Sequence, residues 1–353
     1  MDNDSTPSKR IAYLDVAKGI GILLVILGHN YVKASLPGMG KFIFSFHMPF
    51  FFLLSGMLFK PDYPLPVLLR RRFATLLRPY ITTIILLYSV YLFYTGTNLA
   101  TLLRRIARSA YASGNTIEWA QLWFLPHLFL LNMFAGALFL LFYGRIRWLW
   151  LRAVFVGAML WAGVTFLPVL YLQEVRLFGQ TIVLDGLPFS ADLLPITAAY
   201  FLVGHELRVR VPERILASAW TLLISAAALI ALNVLTPYRM DFFFRTYDSY
   251  LVNTLEALSG SALVLALSTW IARAQNLTSR ALIYFGQITI ILLIFHQPAQ
   301  TITFGRVMEL VENPYLAGLV SFLAAVGVPV LVYQLVLKDN PRLAGWFGLK
   351  RGG

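Results

Sequence analysis

The sequence predicts an all-α polytopic membrane protein of about ten transmembrane helices. Three observations lead there. Of 353 residues, 59% are hydrophobic and only 13% charged, with a mean hydropathy of +0.72, whereas a soluble domain is about 45–50% apolar with about 25% charge. The apolar excess falls in separate runs of roughly 18–24 residues, the length that crosses a ~30 Å hydrocarbon layer. Runs this long and uniform do not alternate as barrel strands do, and a helix satisfies its own backbone polar groups inside lipid.

The spans follow in order. The first, 11–33, comes after the polar decapeptide MDNDSTPSKR and contains "LDVAKGIGILLVILGHN". The run has the length of a signal-peptide core, with Ala34-Ser35 downstream, but it begins at Ile11 and carries Lys18 and His29, so it reads as a retained span. The second, 41–59, contains "FHMPFFFLLSG". The basic stretch "LLRRRFATLLRPY" (68–80) leads into the third, 77–95. In "TLLRRIARSAY" (101–111) apolar and basic residues fall on opposite helical faces. Such a helix lies flat on the outer surface or offers arginines to an anionic sugar or phosphate. The fourth span, 119–142, contains "WFLPHLF". Four apolar runs follow at 148–171, 189–207, 215–235 and 249–272, then 281–303 with "LLIFHQP" and 314–337. Segments 1–10 and 338–353 read as short tails. With no internal repeat and no low-complexity linker, residues 1–353 form a single membrane-embedded domain.

Charge orients the bundle. With the N-terminus inside, nineteen lysines and arginines fall in inner segments and nine in outer ones, leaving only Lys18 well within a span. This bias predicts cytoplasmic termini. It also accounts for the net charge of +13 without a nucleic-acid partner; the expected contacts are membrane lipids.

Lys18 and His29 are eleven residues apart, close to three helical turns or ~16 Å, so their side chains share a face. Lys18 pairs with Asp15 one turn away, or serves a ligand. On the predicted topology His29, His47, His127 and His296 lie at one depth in the outer half of the bilayer, which suggests a polar pocket opening outward. They lack partners at i+3 or i+4, so no metal site is expected. On the inner side Arg70, Arg71 and Arg72 either anchor the span against lipid phosphates or form an anion site. Cysteine is absent, which excludes thiolate chemistry. No Walker loop, nucleophile elbow or zincin motif is present.

The blocks "YLDVAKGIGILLVILGHN", "FSFHMPFFFLLSGMLF", "RRRFATLLRPY", "LWFLPHLF" and "FGQITIILLIFHQP", in this order from residue 11 to about 300, resemble the acyltransferase-3 family of integral-membrane O-acyltransferases. The nearest branch is that of fucose O-acetylase-like and exopolysaccharide O-acetyltransferases. The resemblance implies a multi-pass protein of the bacterial inner membrane that moves an acetyl group from cytoplasmic acetyl-CoA to a sugar hydroxyl of a surface polysaccharide or its lipid-linked precursor. Acetyl-CoA is then a donor substrate, and no tightly bound cofactor is expected. The family's basic residue and following histidine fall on Lys18 and His29; lysine keeps the charge that arginine often supplies but loses the bidentate fork. The family's paired basic residues fall near Arg72, with Thr75 where a second arginine is often found; Arg70, Arg71 or Arg78 stands in for it. Lys18 and Asp15 would then hold the donor together with the arginine cluster. His29 would act as general base or carry the acetyl group as an acyl-imidazole. His47, Glu118, Trp123, His127 and His296 would line the acceptor side. A rival class is a transporter or flippase of a glycan or small acid, with Pro49, Pro126 and Pro298 marking broken helices.

Overall fold

A computed structural model describes residues 11–177 and 180–349. The predicted tail at 1–10, and Lys350 and Arg351 at the other end, lie outside the described residues. Helices stand at all ten predicted places. The first three spans are α1 (Ala12–Gly28), a pair α2 (Pro37–Phe44) and α3 (His47–Met57), and α4 (Leu65–Arg72), which runs through a π-helical turn at Phe73–Leu77 into α5 (Arg78–Thr95). Next come α6 (Leu99–Tyr111), α7 (Phe124–Leu141) and α8 (Leu149–Phe166). A hairpin of β1 (Gln173–Leu177) and β2 (Gln180–Leu184), pairing Gln173 with Leu184, precedes α9 (Leu194–Arg210), α10 (Glu213–Leu216) and α11 (Ala219–Leu235). A second short hairpin, β3 (Met240–Asp241) and β4 (Thr246–Tyr247), leads to α12 (Tyr250–Ala274). The chain closes with α13 (Leu277–Gln287), α14 (Thr289–Val311), α15 (Pro314–Val332), another π-helical turn at Tyr333–Leu337, and α16 (Pro341–Trp346).

The protein is all-α and polytopic. Among the described residues, six helices are long and apolar enough to cross a membrane, and a bent pair makes seven. Three more of the ten, α1, α9 and α11, are 17 residues each, about 25 Å and shorter than the hydrocarbon layer. The ninth predicted span is not one rod: α13 and α14 meet at Ile288 with an 85° bend. The closing segment also departs from expectation. Its described part is no free tail, because α16 docks on α5, where Arg78 donates to the Gly345 carbonyl at 3.3 Å and Thr82 to that of Trp346 at 3.2 Å.

Helix α1 sits at the centre of the bundle, packed on α13, α12, α14 and α3. Small residues set that closeness. A Cβ on Gly19 would strike the Leu282 carbonyl of α13, and one on Gly286 of α13 would strike the Asp15 carbonyl of α1. The same reciprocal arrangement joins Gly56 of α3 to Phe201 of α9 and Gly204 of α9 to Leu53 of α3. In lipid, where the hydrophobic drive between helices is lost, such backbone approach is what holds them. At the far end of α1, buried Asn30 accepts from the Val32 N–H at 2.9 Å and donates to the Gly318 carbonyl of α15 at 2.8 Å, fixing the chain as it leaves the helix.

The 101–111 segment is helical, with Leu99 and Leu103 of the α6 apolar side exposed and the rest of that side turned toward α5. Leu102, Ile106 and Ala110 of α6 line a cavity of about 400 Å³ shared with α5. Tyr80 of α5 donates to the Ser109 carbonyl at 2.6 Å, and the Tyr88 hydroxyl lies 2.6 Å from Ser109 Oγ.

Candidate functional site

The two polar residues of α1 open onto different surroundings. Lys18 Nζ donates to Asp15 Oδ1 at 2.6 Å, one turn away. Both line a cavity of about 1050 Å³. Its other walls come from the end of α3, the α3–α4 connection, the first π-helical turn and the segment around α16. Six cations line it, Lys18, Lys60, Arg71, Arg72, Arg78 and Arg208, against the single carboxylate of Asp15. Such a ratio favours a polyanionic ligand. Thr75 also lines the cavity, with its hydroxyl bonded to the Arg71 carbonyl at 3.0 Å. The Arg71 guanidinium donates to the Tyr63 hydroxyl at 2.8 Å and stacks 4.3 Å from that ring. Arg70 is exposed on the helix and is not among the lining residues, so the three consecutive arginines do not all face the cavity.

The other end of α1 carries His29. Its ring meets the edge of His296 from α14 with centroids 5.5 Å apart, and Phe44 at 6.3 Å. Phe44 in turn packs 4.9 Å from His47, the first residue of α3. Three histidines from three helices thus form a row, with His296 against His29 and Phe44 between His29 and His47. Each uses Nδ1 in the same way: His29 bonds the Val25 carbonyl at 2.8 Å, His47 that of Ile43 at 3.0 Å, and His296 that of Leu292 at 2.9 Å. A carbonyl only accepts, so Nδ1 carries the proton in all three. Each neutral ring then keeps its lone pair on Nε2. His296 Nε2 is buried with no partner among the described residues. Lys33 lies over the opposite side, 5.3 Å from the Phe44 ring centroid. Nearby on β3, outside the helices, burial holds the Asp241 carboxyl above its ordinary range, against the N–H groups of Phe244 and Phe243 and the charges of Lys33 and Arg245.

The expected gathering of four histidines is corrected to three. His127 of α7 stands apart, with both ring nitrogens engaged: Nδ1 lies 3.1 Å from the Phe189 carbonyl and Nε2 3.0 Å from Thr197 Oγ. Trp123 is buried against its ring at 5.7 Å. Glu118 is tied to Arg105 of α6 at 2.8 Å. These residues keep partners of their own away from His29, whereas His47 and His296 join it. No cluster of metal-ligating side chains is found among the described residues.

Several residues escaped sequence reasoning. Arg208 and Lys60 reach the basic cavity, yet their spacing marked only inner-side charges. Gln121, which reaches the α14 backbone, and Gln300, one turn on from His296, carried no motif. A clue was available for Gln121: Pro298 lacks the N–H that would satisfy the Ile294 carbonyl, and the Gln121 amide donates to that carbonyl at 3.1 Å. Gln300 serves the end of α1 in the same way, donating to the Ile26 carbonyl at 3.3 Å.

The model of an acyltransferase domain, the acyltransferase-3 type, matches residues 11–334. No curated protein and no solved structure matches the chain. The match spans both α1 ends, all six cations of the basic cavity and the three-histidine cluster, and on that extent the chain belongs to the acyltransferase-3 family of membrane acyltransferases.

Proposed function

We propose that this membrane acyltransferase moves an acetyl group from cytoplasmic acetyl-CoA to a sugar hydroxyl of a surface polysaccharide, or of its lipid-linked precursor, in the bacterial inner membrane. The observation that carries the reading is the pairing on one helix of a basic cavity at Lys18 with an imidazole lone pair at His29. The cavity suits the phosphates of CoA, since guanidinium and ammonium donors make charge-assisted bonds to phosphate. The positive-inside bias puts that end, and both termini, in the cytoplasm. His29 then faces the outer half of the bilayer, where a surface sugar arrives.

The chemistry follows from the tautomer. With Nδ1–H held by the Val25 carbonyl, Nε2 takes the proton of the sugar hydroxyl as its oxygen attacks the thioester carbonyl. The new C–O ester bond forms, the C–S bond breaks, and the proton passes to the departing CoA thiolate. In a two-step variant Nε2 itself attacks and the acetyl group rests on the imidazole before the sugar takes it. Ile22 and Val25, buried at 1% and 5% exposure, occupy the α1 face between Lys18 and His29, so the acetyl end of the donor has to pass beside them.

The test is acetyl transfer by the purified protein in nanodiscs, using labelled acetyl-CoA and surface glycan isolated from a strain lacking the gene. Glycan-dependent release of CoA with label in the glycan supports the reading. Movement of glycan across vesicles without acetylation would transfer it to the transporter class.

A further inference from the structure

Buried polar atoms are almost always hydrogen-bonded, and each exception calls for an explanation. Seven buried side-chain atoms have no partner among the described residues, and four of them belong to Gln121, His296, Gln297 and Gln300. All four are of one kind. His296 offers the Nε2 lone pair, because its Nδ1 proton is committed to α14 carbonyls. The glutamines offer Oε1. The amides of Gln121 and Gln300 are already used on the Ile294 and Ile26 carbonyls, which fixes their oxygens as the unsatisfied ends. His296, Gln297 and Gln300 fall within an arc of about 100° on α14. That arc meets α1 where His296 touches His29 and Gln300 bonds Ile26.

We propose that this arc, with Gln121 beside it, recognises the acceptor as a polyhydroxylated molecule. A site offering four unsatisfied acceptor atoms favours ligands that bring several O–H donors at once, as a sugar ring does and a single-hydroxyl lipid does not. One hydroxyl reacts at His29, and its neighbours are held by the glutamine oxygens and His296 Nε2. These are positioning residues. The inference rests on the reading that the protein acylates a sugar hydroxyl, and it adds which side chains hold the sugar.

Gln297 gives the cleanest test, because neither end of its carboxamide makes a hydrogen bond among the described residues. Gln297→Met keeps length and removes the free acceptor together with the unbonded amide N–H. In nanodiscs, with glycan from the gene-deleted strain as acceptor, it should raise the acceptor KM by about two- to tenfold, as loss of one hydrogen bond does. The KM for acetyl-CoA and the melting temperature should stay unchanged. Gln121→Met and Gln300→Met should raise the acceptor KM as well. Both should also lower the melting temperature, since each frees a backbone carbonyl. An acceptor KM unchanged in all three variants would overturn the inference and leave ordered water as the partner of these atoms. If the wild-type protein transfers no acetyl group to glycan, the functional reading fails first and takes this one with it.

Discussion

At its Lys18 end, α1 borders a cavity of about 1050 Å³ walled by six cations; at its His29 end, it meets the edge of a second imidazole at 5.5 Å. The Lys18 side chain is 27% exposed, whereas His296 is wholly buried. Cations around an open cavity attract anions at low desolvation cost. The imidazoles at the other end have Nδ1–H committed to carbonyls, so a neutral ring there presents its Nε2 lone pair, which is suited to taking a proton. On the proposed function, one end holds a charged molecule and the other does the chemistry. The difference comes from what α13, α14 and the arginine-rich helix bring to each end, since α1 itself is apolar between them.

The sharpest way to break this division is His29→Ala. It should leave membrane insertion and binding of a non-hydrolysable acetyl-CoA analogue intact, while acetyl transfer falls by 10²- to 10⁴-fold, the usual loss when a general base is removed. Near-normal transfer would move the chemistry away from this end of α1. His127→Phe supplies the contrast. Its nitrogens serve Phe189 and Thr197, so the substitution should lower the melting temperature while transfer by the folded fraction persists. Loss of transfer at unchanged melting temperature would return His127 to the acceptor side.

A smaller effect should come from the seat of α1. Gly286→Val would press side-chain carbons on the Asp15 carbonyl, and overpacking of this kind costs about 1–3 kcal/mol. Because α1 joins the two ends, this variant should lower the melting temperature and degrade donor and acceptor KM together. A change in only one of them would show that the ends are positioned independently.

Legibility differed between the ends for physical reasons. The membrane class and the ten helical places could both be read, because hydropathy and helical periodicity are local properties of a chain. The grouping of His47 and His296 with His29 required knowing where α3 begins and how α14 turns. The 85° bend at Ile288 leaves only a proline ten residues later as a sequence mark. Depth alone could not separate His127 from the other three. Depth is one coordinate, and the ring's fate is decided by rotation about the helix axis and by the Phe189 carbonyl, offered from a loop. The basic cavity was partly legible. Arg71, Arg72 and Lys18 could be named, but Arg208 and Lys60 enter through packing, and Arg70 leaves through the 100° step between neighbours on a helix.

On the donor side, Lys18→Ala should raise the KM for acetyl-CoA by about tenfold, the scale of one charge-assisted hydrogen bond, with the acceptor KM unmoved. Lys18→Arg should keep most activity, since arginine restores the charge and adds a fork.

The smallest expected effects are the most discriminating, because they compare two adjacent residues of identical chemistry. Arg72 lines the cavity and Arg70 does not. If positive-inside anchoring were the role of this run, the two would be interchangeable: each removes one charge from the same end of the same helix, and the bilayer senses their sum. If phosphate is held within the cavity, position around the helix decides. Arg72→Ala should raise the KM for acetyl-CoA several-fold, and raised ionic strength should shrink the difference from wild type, because screening weakens the wild-type contact. Arg70→Ala should leave that KM within experimental error of wild type. Equal effects from both would return the arginines to membrane anchoring and leave Lys18, Arg78 and Arg208 to account for donor binding. An effect at Arg72 alone would tie the cavity to the donor through a side chain that neither composition nor charge count could have separated from its neighbour.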